Sequence, residues 1–296
     1  MYSSNPVVAL WPEMARQFAE TITRMRAAPV SAAASGNSPA GRLYQTSGGV
    51  AVISIQGLML KRPPEWVADM VCDTDAITRA VQTAANATDV NTICLRIDSP
   101  GGSVDGLAEL GDAVYAARAS KPIIAQVDGM AASAAYYVAA LTNEVYAHRM
   151  DLVGSIGTIW PMYDDSELYA EMGVKPVMIS TEPPERPYKS MGWPGTVITA
   201  EQIAYAQTIV DRYGKDFRRA LMIGRRMSIP QVDAIADGRV FFPADAMQLG
   251  LIDGIRTMQD TLNTLRNKYG PGGLRTTASV RAELARKRLS MPVECR

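Results

Sequence analysis

Histidine is nearly absent from this chain: its 296 residues include one, His148. Chemistry that needs an imidazole base must use that residue. Cysteine is scarce too. Cys72, Cys94 and Cys295 are the three present, too scattered for a disulfide framework or a cysteine metal cluster, and this usage suits a reducing cytoplasm. Net charge is missing, because 30 basic and 30 acidic residues cancel. No global field therefore draws the chain to nucleic acid or to an anionic membrane. Long apolar runs are lacking as well. The uncharged stretch Leu43 to Leu60 is broken by Gln45, Thr46, Ser47, Gly48, Gly49 and Gln56, and Gly129 to Asn143 is too short to span a bilayer as a helix. The N-terminus has no apolar core of a signal peptide. The expectation is a soluble protein that stays in the compartment where it is made.

With 47% hydrophobic and 20% charged residues, the composition is that of an ordinary globular protein. Residues 12–26 have helical spacing, with Pro12 at the first position and Met14, Phe18, Ile22 and Met25 along one stripe. An Ala/Ser/Gly/Pro-rich linker follows, so residues 1–49 read as a helix and linker ahead of the main domain. Residues 50–269 read as one α/β domain. Strands are expected at 50–56, 90–98, 122–128, 144–147 and 174–180, and helices at 74–86, 104–118, about 164–172, and from near Ser133. Thr199 to Gln202 is a capping box opening a long helix with Ile203, Val210, Phe217 and Leu221 on its inner face, and Ser228 to Gln231 opens a shorter one. Residues 270–296 carry six Arg or Lys against two Glu, and read as a basic tail. Alternating strands and helices call for a mixed or mostly parallel sheet covered by helices.

In such folds ligands gather where strands end and helices begin. Two junctions qualify. Asp98-Ser-Pro-Gly-Gly-Ser103 bares backbone amides between a strand and a helix, where an anion could be held; the plain alternative is a tight turn that needs glycine for steric reasons. Around Ser133, Asp128-Gly-Met-Ala-Ala-Ser-Ala-Ala-Tyr-Tyr137 surrounds one hydroxyl with small residues. Those let a substrate backbone approach, while first-turn amides face a developing oxyanion. The alternative for Ser133 is a helix cap or a small packing residue.

A nucleophilic serine needs a base. His148 sits beside Arg149 in a setting typical of surface or structural histidines. Five lysines follow Ser133: Lys175, Lys189, Lys215, Lys268 and Lys287. Lys215 falls in the long helix, and the last two lie at or near the tail. Lys189 lies in Thr181–Ile198, a stretch with four prolines and two aromatic residues, stiff enough to hold an extended segment beside a cleft. Lys175, between a helix and a strand, is its rival, and an exposed loop lysine is the plain alternative for either. A lysine has an ordinary pKa of about 10.4, so a lysine base must be desolvated to act near neutral pH. Tyr188, Met191 and Trp193 are the neighbours that could exclude water once substrate covers the site.

Several motifs occur in order: Ile97-Asp-Ser-Pro-Gly-Gly102, Met130-Ala-Ala-Ser133, Tyr136-Tyr137 and Gly154-Ser-Ile-Gly-Thr-Ile159. A loop lysine, Asp237-Gly-Arg-Val240 and Ala246-Met-Gln-Leu-Gly-Leu-Ile-Asp253 follow. This succession, over roughly residues 50–265, resembles the signal peptide peptidase A family of Ser–Lys peptidases, whose members include bacteriophage head-maturation proteases. The resemblance implies a fold of the Clp-peptidase and crotonase type, no cofactor and no metal. It implies Ser133 as nucleophile, Lys189 as general base, and Ser155 as the serine that orients the lysine amine. The amide of Gly102 matches the family's oxyanion donor, and helix geometry adds the amide of Ala134. Two departures stand out: Ala134-Ala135 replaces the Gly-Gly common after the nucleophile, and the Ser-to-Lys interval is longer than usual.

Membrane-anchored members of that family act on remnant signal peptides, whereas the layout here is similar to phage head proteases. The expected partners are therefore scaffold, capsid or portal polypeptides in a host cytoplasm or prohead. The family also implies a homo-oligomer that builds its sites from neighbouring protomers. A soluble cytoplasmic peptidase, a crotonase-like acyl-CoA enzyme and an inactive capsid assembly protein are the alternatives. The acyl-CoA reading leaves Ser133 and Lys189 without a role.

Overall fold

A computed structural model of the chain describes residues 8–10, 44–64, 67, 71–182 and 188–271. The helix expected over 12–26, most of the linker and nearly all of the basic tail lie outside these residues. Strands β1 (Val8–Leu10), β2 (Gln45–Ser47), β3 (Val50–Gln56), β4 (Leu58–Leu60) and β5 (Val71–Asp73) precede helix α1 (Thr74–Asn86). Then β6 (Thr92–Ser99) and β7 (Gly101–Ser103) lead to α2 (Leu107–Ala117), and β8 (Ile123–Ala132) leads to α3 (Ala134–Ala140). Next come β9 (Glu144–Ala147), β10 (Leu152–Gly154) and α4 (Ser166–Glu171). The order ends with α5 (Ala200–Arg225), α6 (Ile229–Asp233), β11 (Val240–Phe241), α7 (Pro243–Gln248), β12 (Gly254–Ile255) and α8 (Met258–Tyr269).

The backbone of the larger sheet is the parallel trio β3, β6 and β8, extended by β2 beyond β3 and by β10 and then β11 beyond β8. β9 pairs with the first part of β8, and β12 with β9. β6 is buried along almost its whole length, as expected of a parallel strand covered on both faces. One face packs Ile53, Ile55, Leu95 and Ile97 against Leu110 and Val114 of α2. The other packs Val50, Cys94 and Ile124 against Leu265 and Tyr269 of α8. Cys72 and Cys94 are free thiols, and burial pushes both up to about 12. A smaller four-stranded sheet runs β1-β7-β4-β5. Among the described residues no helix is long and apolar enough to cross a membrane.

The expected helix at 74–86 and the strands at 50–56 and 144–147 form with those bounds. Both capping boxes close as well, Thr199 with Gln202 and Ser228 with Gln231. Three expectations fail. Residues 174–180 form no strand and stay exposed, with Val177 78% and Ile179 94% accessible. Their apolar residues are strand-like, but among the described residues no strand pairs with them. On α5, Phe217 and Leu221 are buried but Ile203 is exposed; Gln202 and Ala206 face inward instead. Finally, the glycines of the Pro-Gly-Gly segment do not open a helix. They form β7, and α2 starts only after Gly106, so its dipole is not aimed from Gly101 or Gly102.

Candidate active site

Parallel strand pairing carries one serine to the end of β8 and a second to the end of β10. Ala132 of β8 is in register with Gly154 of β10, so Ser133 and Ser155 are the next residues on adjacent strands. Ser133 Nα–H donates to the Gly154 carbonyl at 2.8 Å. Both serines have positive φ, 53° for Ser133 and 52° for Ser155. Non-glycine residues rarely adopt that conformation, and it survives where the surroundings over-determine it.

Ser133 stands at the N-cap position of α3 with φ 53° and ψ −120°, and its side chain makes no capping bond. The cap alternative for this serine is therefore corrected: the turn that lifts Cβ out of the helix start also takes Oγ away from the first-turn amides. The residue is 1% exposed, and its Oγ is buried with no hydrogen-bond partner among the described residues. A buried unpaired hydroxyl costs about 1–3 kcal/mol, which is why such groups need an explanation. The first helical bond of α3 runs from Tyr137 Nα–H to the Ser133 carbonyl at 2.9 Å. The amides of Ala134, Ala135 and Tyr136 thus have no partner within the helix.

The motifs around this junction turn out to be its braces. Tyr136 is fully buried, its hydroxyl donating to the Leu251 carbonyl at 2.7 Å; burial pushes that phenol up. Tyr137 meets Phe217 of α5 edge-on, with centroids 5.5 Å apart, and burial pushes it up to about 12. The motif ending in Asp253 places that carboxylate to accept from Val145 Nα–H and Arg225 Nη1, both at 2.7 Å. Asp237-Gly-Arg-Val240 delivers the Arg239 carbonyl to the Ser155 amide at 2.7 Å, and β11 pairs antiparallel with β10. Gly154 is required there: with φ 118°, any Cβ would lie 2.9 Å from the Arg239 carbonyl oxygen.

Gly102 sits in β7, which packs on α3. A Cβ on it would come within 1.9 Å of the Met59 carbonyl oxygen. The steric alternative for this glycine thus holds, and it leaves the amide role open.

Lys189 lies in a short 3₁₀ turn, Tyr188–Ser190, and is exposed. The turn is anchored from outside: Lys189 Nα–H donates to Glu182 Oε2 at 2.8 Å, and Tyr188 Oη to Glu201 Oε1 at 2.8 Å. Nearby, Asp165 Oδ1 accepts from Gly195 Nα–H at 2.7 Å, and Asp164 Oδ2 from Ile198 Nα–H at 2.9 Å. Because Ser133 Oγ has no partner among the described residues, Lys189 of the same chain does not hydrogen-bond it. Lys175 is exposed in the segment that formed no strand. His148 follows β9 beside the first half of β8, where Tyr146 pairs with Gln126, well before Ser133. One buried lysine does exist, Lys121, whose amine donates to the Ala84 carbonyl at 2.8 Å and to the Ala87 carbonyl. It caps the end of α1, two residues before β8 begins and at the opposite end of that strand from Ser133.

The family model described as peptidase family S49 matches residues 116–270, which hold both strand-end serines and Lys189. The chain belongs to peptidase family S49. Protease 4 of Salmonella typhi is 30% identical to this S49 chain over 219 residues, 73% of this chain and 34% of that protein. Capsid assembly protease C of Escherichia phage lambda is 24% identical over 228 residues, 76% of this chain and 51% of that protein. The S49 chain spans between 34% and 55% of the length of three curated relatives it matches. An enoyl-CoA hydratase of known structure from Mycobacterium smegmatis superposes with TM-score 0.50 at 15% identity, covering 84% of this chain and 83% of that one. At such identity the likeness shows the fold alone, and it is the expected crotonase-type fold.

The small-residue pattern points to Ser133 of this S49 chain, and Ser155 comes only from the resemblance; their adjacency follows from strand register, which no local pattern encodes. Those patterns miss the supporting carbonyls of Leu251 and Arg239 entirely. Backbone acceptors carry no side-chain signature, and the motifs that contain them are their only trace.

Proposed function

We propose that this chain is a serine endopeptidase in which Ser133 is the nucleophile and Lys189 the general base. Residues 50–269 would form the body of the peptidase domain, between the segments 1–49 and 270–296, with β1 and β2 of the first segment adding edge strands to its two sheets. The carrying observation is the buried, unpartnered Oγ of Ser133, held at a strand-to-helix turn with φ 53° and ψ −120°. The neutral amine takes the Ser133 proton as Oγ attacks a peptide carbonyl carbon. The amides of Gly102 and Ala134 meet the oxyanion. As the C–N bond breaks, the ammonium returns its proton to the leaving amine. Water, deprotonated by the same amine, then cleaves the acyl ester and frees Ser133. Ser155, one register step away on the adjacent strand, orients the amine.

Lys189 is exposed in one chain and not bonded to Ser133, which supports a base supplied by a neighbouring protomer. Exposed Tyr163, Leu168, Met172, Val177 and Ile179 provide apolar surface for that neighbour. An interface there would exclude water and favour the neutral amine. The likeness to a phage capsid assembly protease supports a role in head maturation, with scaffold, capsid or portal polypeptides as substrates in the host cytoplasm. The test is hydrolysis of an unstructured protein such as casein. Ser133→Ala should abolish it and leave far-ultraviolet circular dichroism unchanged. Retained hydrolysis in a clean preparation would reject the assignment.

A further inference from the structure

The small sheet contains a strand from far away in the sequence. β1 pairs antiparallel with β7, with Val8 opposite Ser103, Ala9 opposite Gly102 and Leu10 opposite Gly101. β4 occupies the other side of β7, so β1 takes what would otherwise be an open sheet edge. Open edges template pairing with any extended chain. This edge carries the amide proposed to meet the oxyanion, and β7 packs on the helix that presents Ser133. All three β7 residues are buried.

We propose that the open edge of β7 is a docking edge for an extended polypeptide, and that residues 8–10 of this chain occupy it as an internal competitor of substrate. The inference rests on the peptidase reading for its consequence, though not for the docking itself. Two observations favour this occupant. The strand is seated there with a three-residue register centred on Gly102. And the sequence around the strand suits an extended ligand: Val7-Val8-Ala9-Leu10-Trp11 is uncharged and bracketed by Pro6 and Pro12, which cannot extend a ladder on both sides. Three paired residues make a short strand, so a longer substrate strand can displace it. Ala9, the residue opposite Gly102, is small.

The test uses the full chain with Val8→Pro and Ala9→Pro together, because only alternate residues of an edge strand aim their amides at the neighbour. If the edge is occupied in about four molecules of five, releasing it lowers KM for casein about fivefold, because an occupied form does not bind. kcat should stay within about twofold. A second readout needs no catalysis. A labelled peptide of residues 5–14 is titrated into full-length Ser133→Ala chains, with and without the two proline substitutions. It should bind about fivefold more tightly to the proline variant, and the same peptide with Ala9→Pro should bind neither. Equal binding to both chains, or to neither, would overturn the docking proposal. If casein hydrolysis depends on Ser133 while KM and peptide binding ignore the prolines, the peptidase reading survives and this one fails. If the peptide discriminates between the chains but casein is never cleaved, the docking stands and the peptidase reading fails.

Discussion

Ser133 and Lys189, the two residues asked to work together, are held in contrasting ways. Ser133 and Ser155 are 1% and 4% exposed, fixed by backbone bonds of 2.8 Å to Gly154 of β10 and 2.7 Å to Arg239 just ahead of β11. Gly102 is walled by the peptide of Met59. Lys189 instead lies exposed on a single 3₁₀ turn, tied down through carboxylates at the surface. Trp193 follows the same pattern. Its amide donates to the Ser190 carbonyl at 2.9 Å and its carbonyl accepts from Thr196 Nα–H at 3.1 Å, yet the residue is 51% exposed. The serine side gets its geometry from long-range strand pairing within one chain. The lysine side has anchoring without cover, which is what a surface awaiting a partner would show.

If the serine side is the rigid half, substitutions there should cost stability as well as activity. The largest effect is expected for Gly102→Ala. Its Cβ would meet the Met59 carbonyl oxygen at 1.9 Å, and a backbone wall cannot rotate away as a side chain can. The expected loss is about 3 kcal/mol or more, read as a lower urea midpoint, together with loss of hydrolysis. A midpoint within error of the parent would mean that β7 and β4 are not packed as described. A smaller loss, about 1–2 kcal/mol, is expected for Tyr136→Phe, which leaves the buried Leu251 carbonyl without its donor. Because Tyr136 braces α3 from behind, part of the activity should remain. Unchanged stability would remove that brace from the account of Ser133.

The same contrast governs what could be read from the sequence. β3, α1 and the capping boxes were legible because they rest on local periodicity and on neighbours a few residues apart. The small residues around Ser133 were visible in the sequence, although the conformation that frees its hydroxyl from capping was not. The strand expected at 174–180 failed because an apolar segment forms a strand only where an edge is there to receive it. Gly101 and Gly102 read as a turn before a helix, since nothing local reveals that Met59 lies against them. Lys189 comes partly from elimination and partly from resemblance, and its exposure in a single chain matches the plain alternative of a loop lysine.

The smallest stability effect belongs to the lysine side, and it tests the contrast most directly. Lys189 is exposed, so Lys189→Ala should change the urea midpoint by no more than about 0.5 kcal/mol equivalent, while casein hydrolysis falls to background. Neither that variant nor Ser133→Ala should be active alone. Mixed in equal amounts with subunit exchange, they behave differently according to where the base comes from. If each site pairs the serine of one protomer with the lysine of its neighbour, random mixing leaves about a quarter of the sites with both intact residues, as expected for a repeated head-to-tail interface. Hydrolysis should then recover towards a quarter of the parent rate. If both residues come from one chain, every site carries one defect and nothing returns. Exchange is confirmed by mass of the mixed oligomer. Recovery would place the missing partner of Ser133 on a second copy of the chain, whereas no recovery after confirmed exchange would require the Lys189 turn to move inward within its own chain.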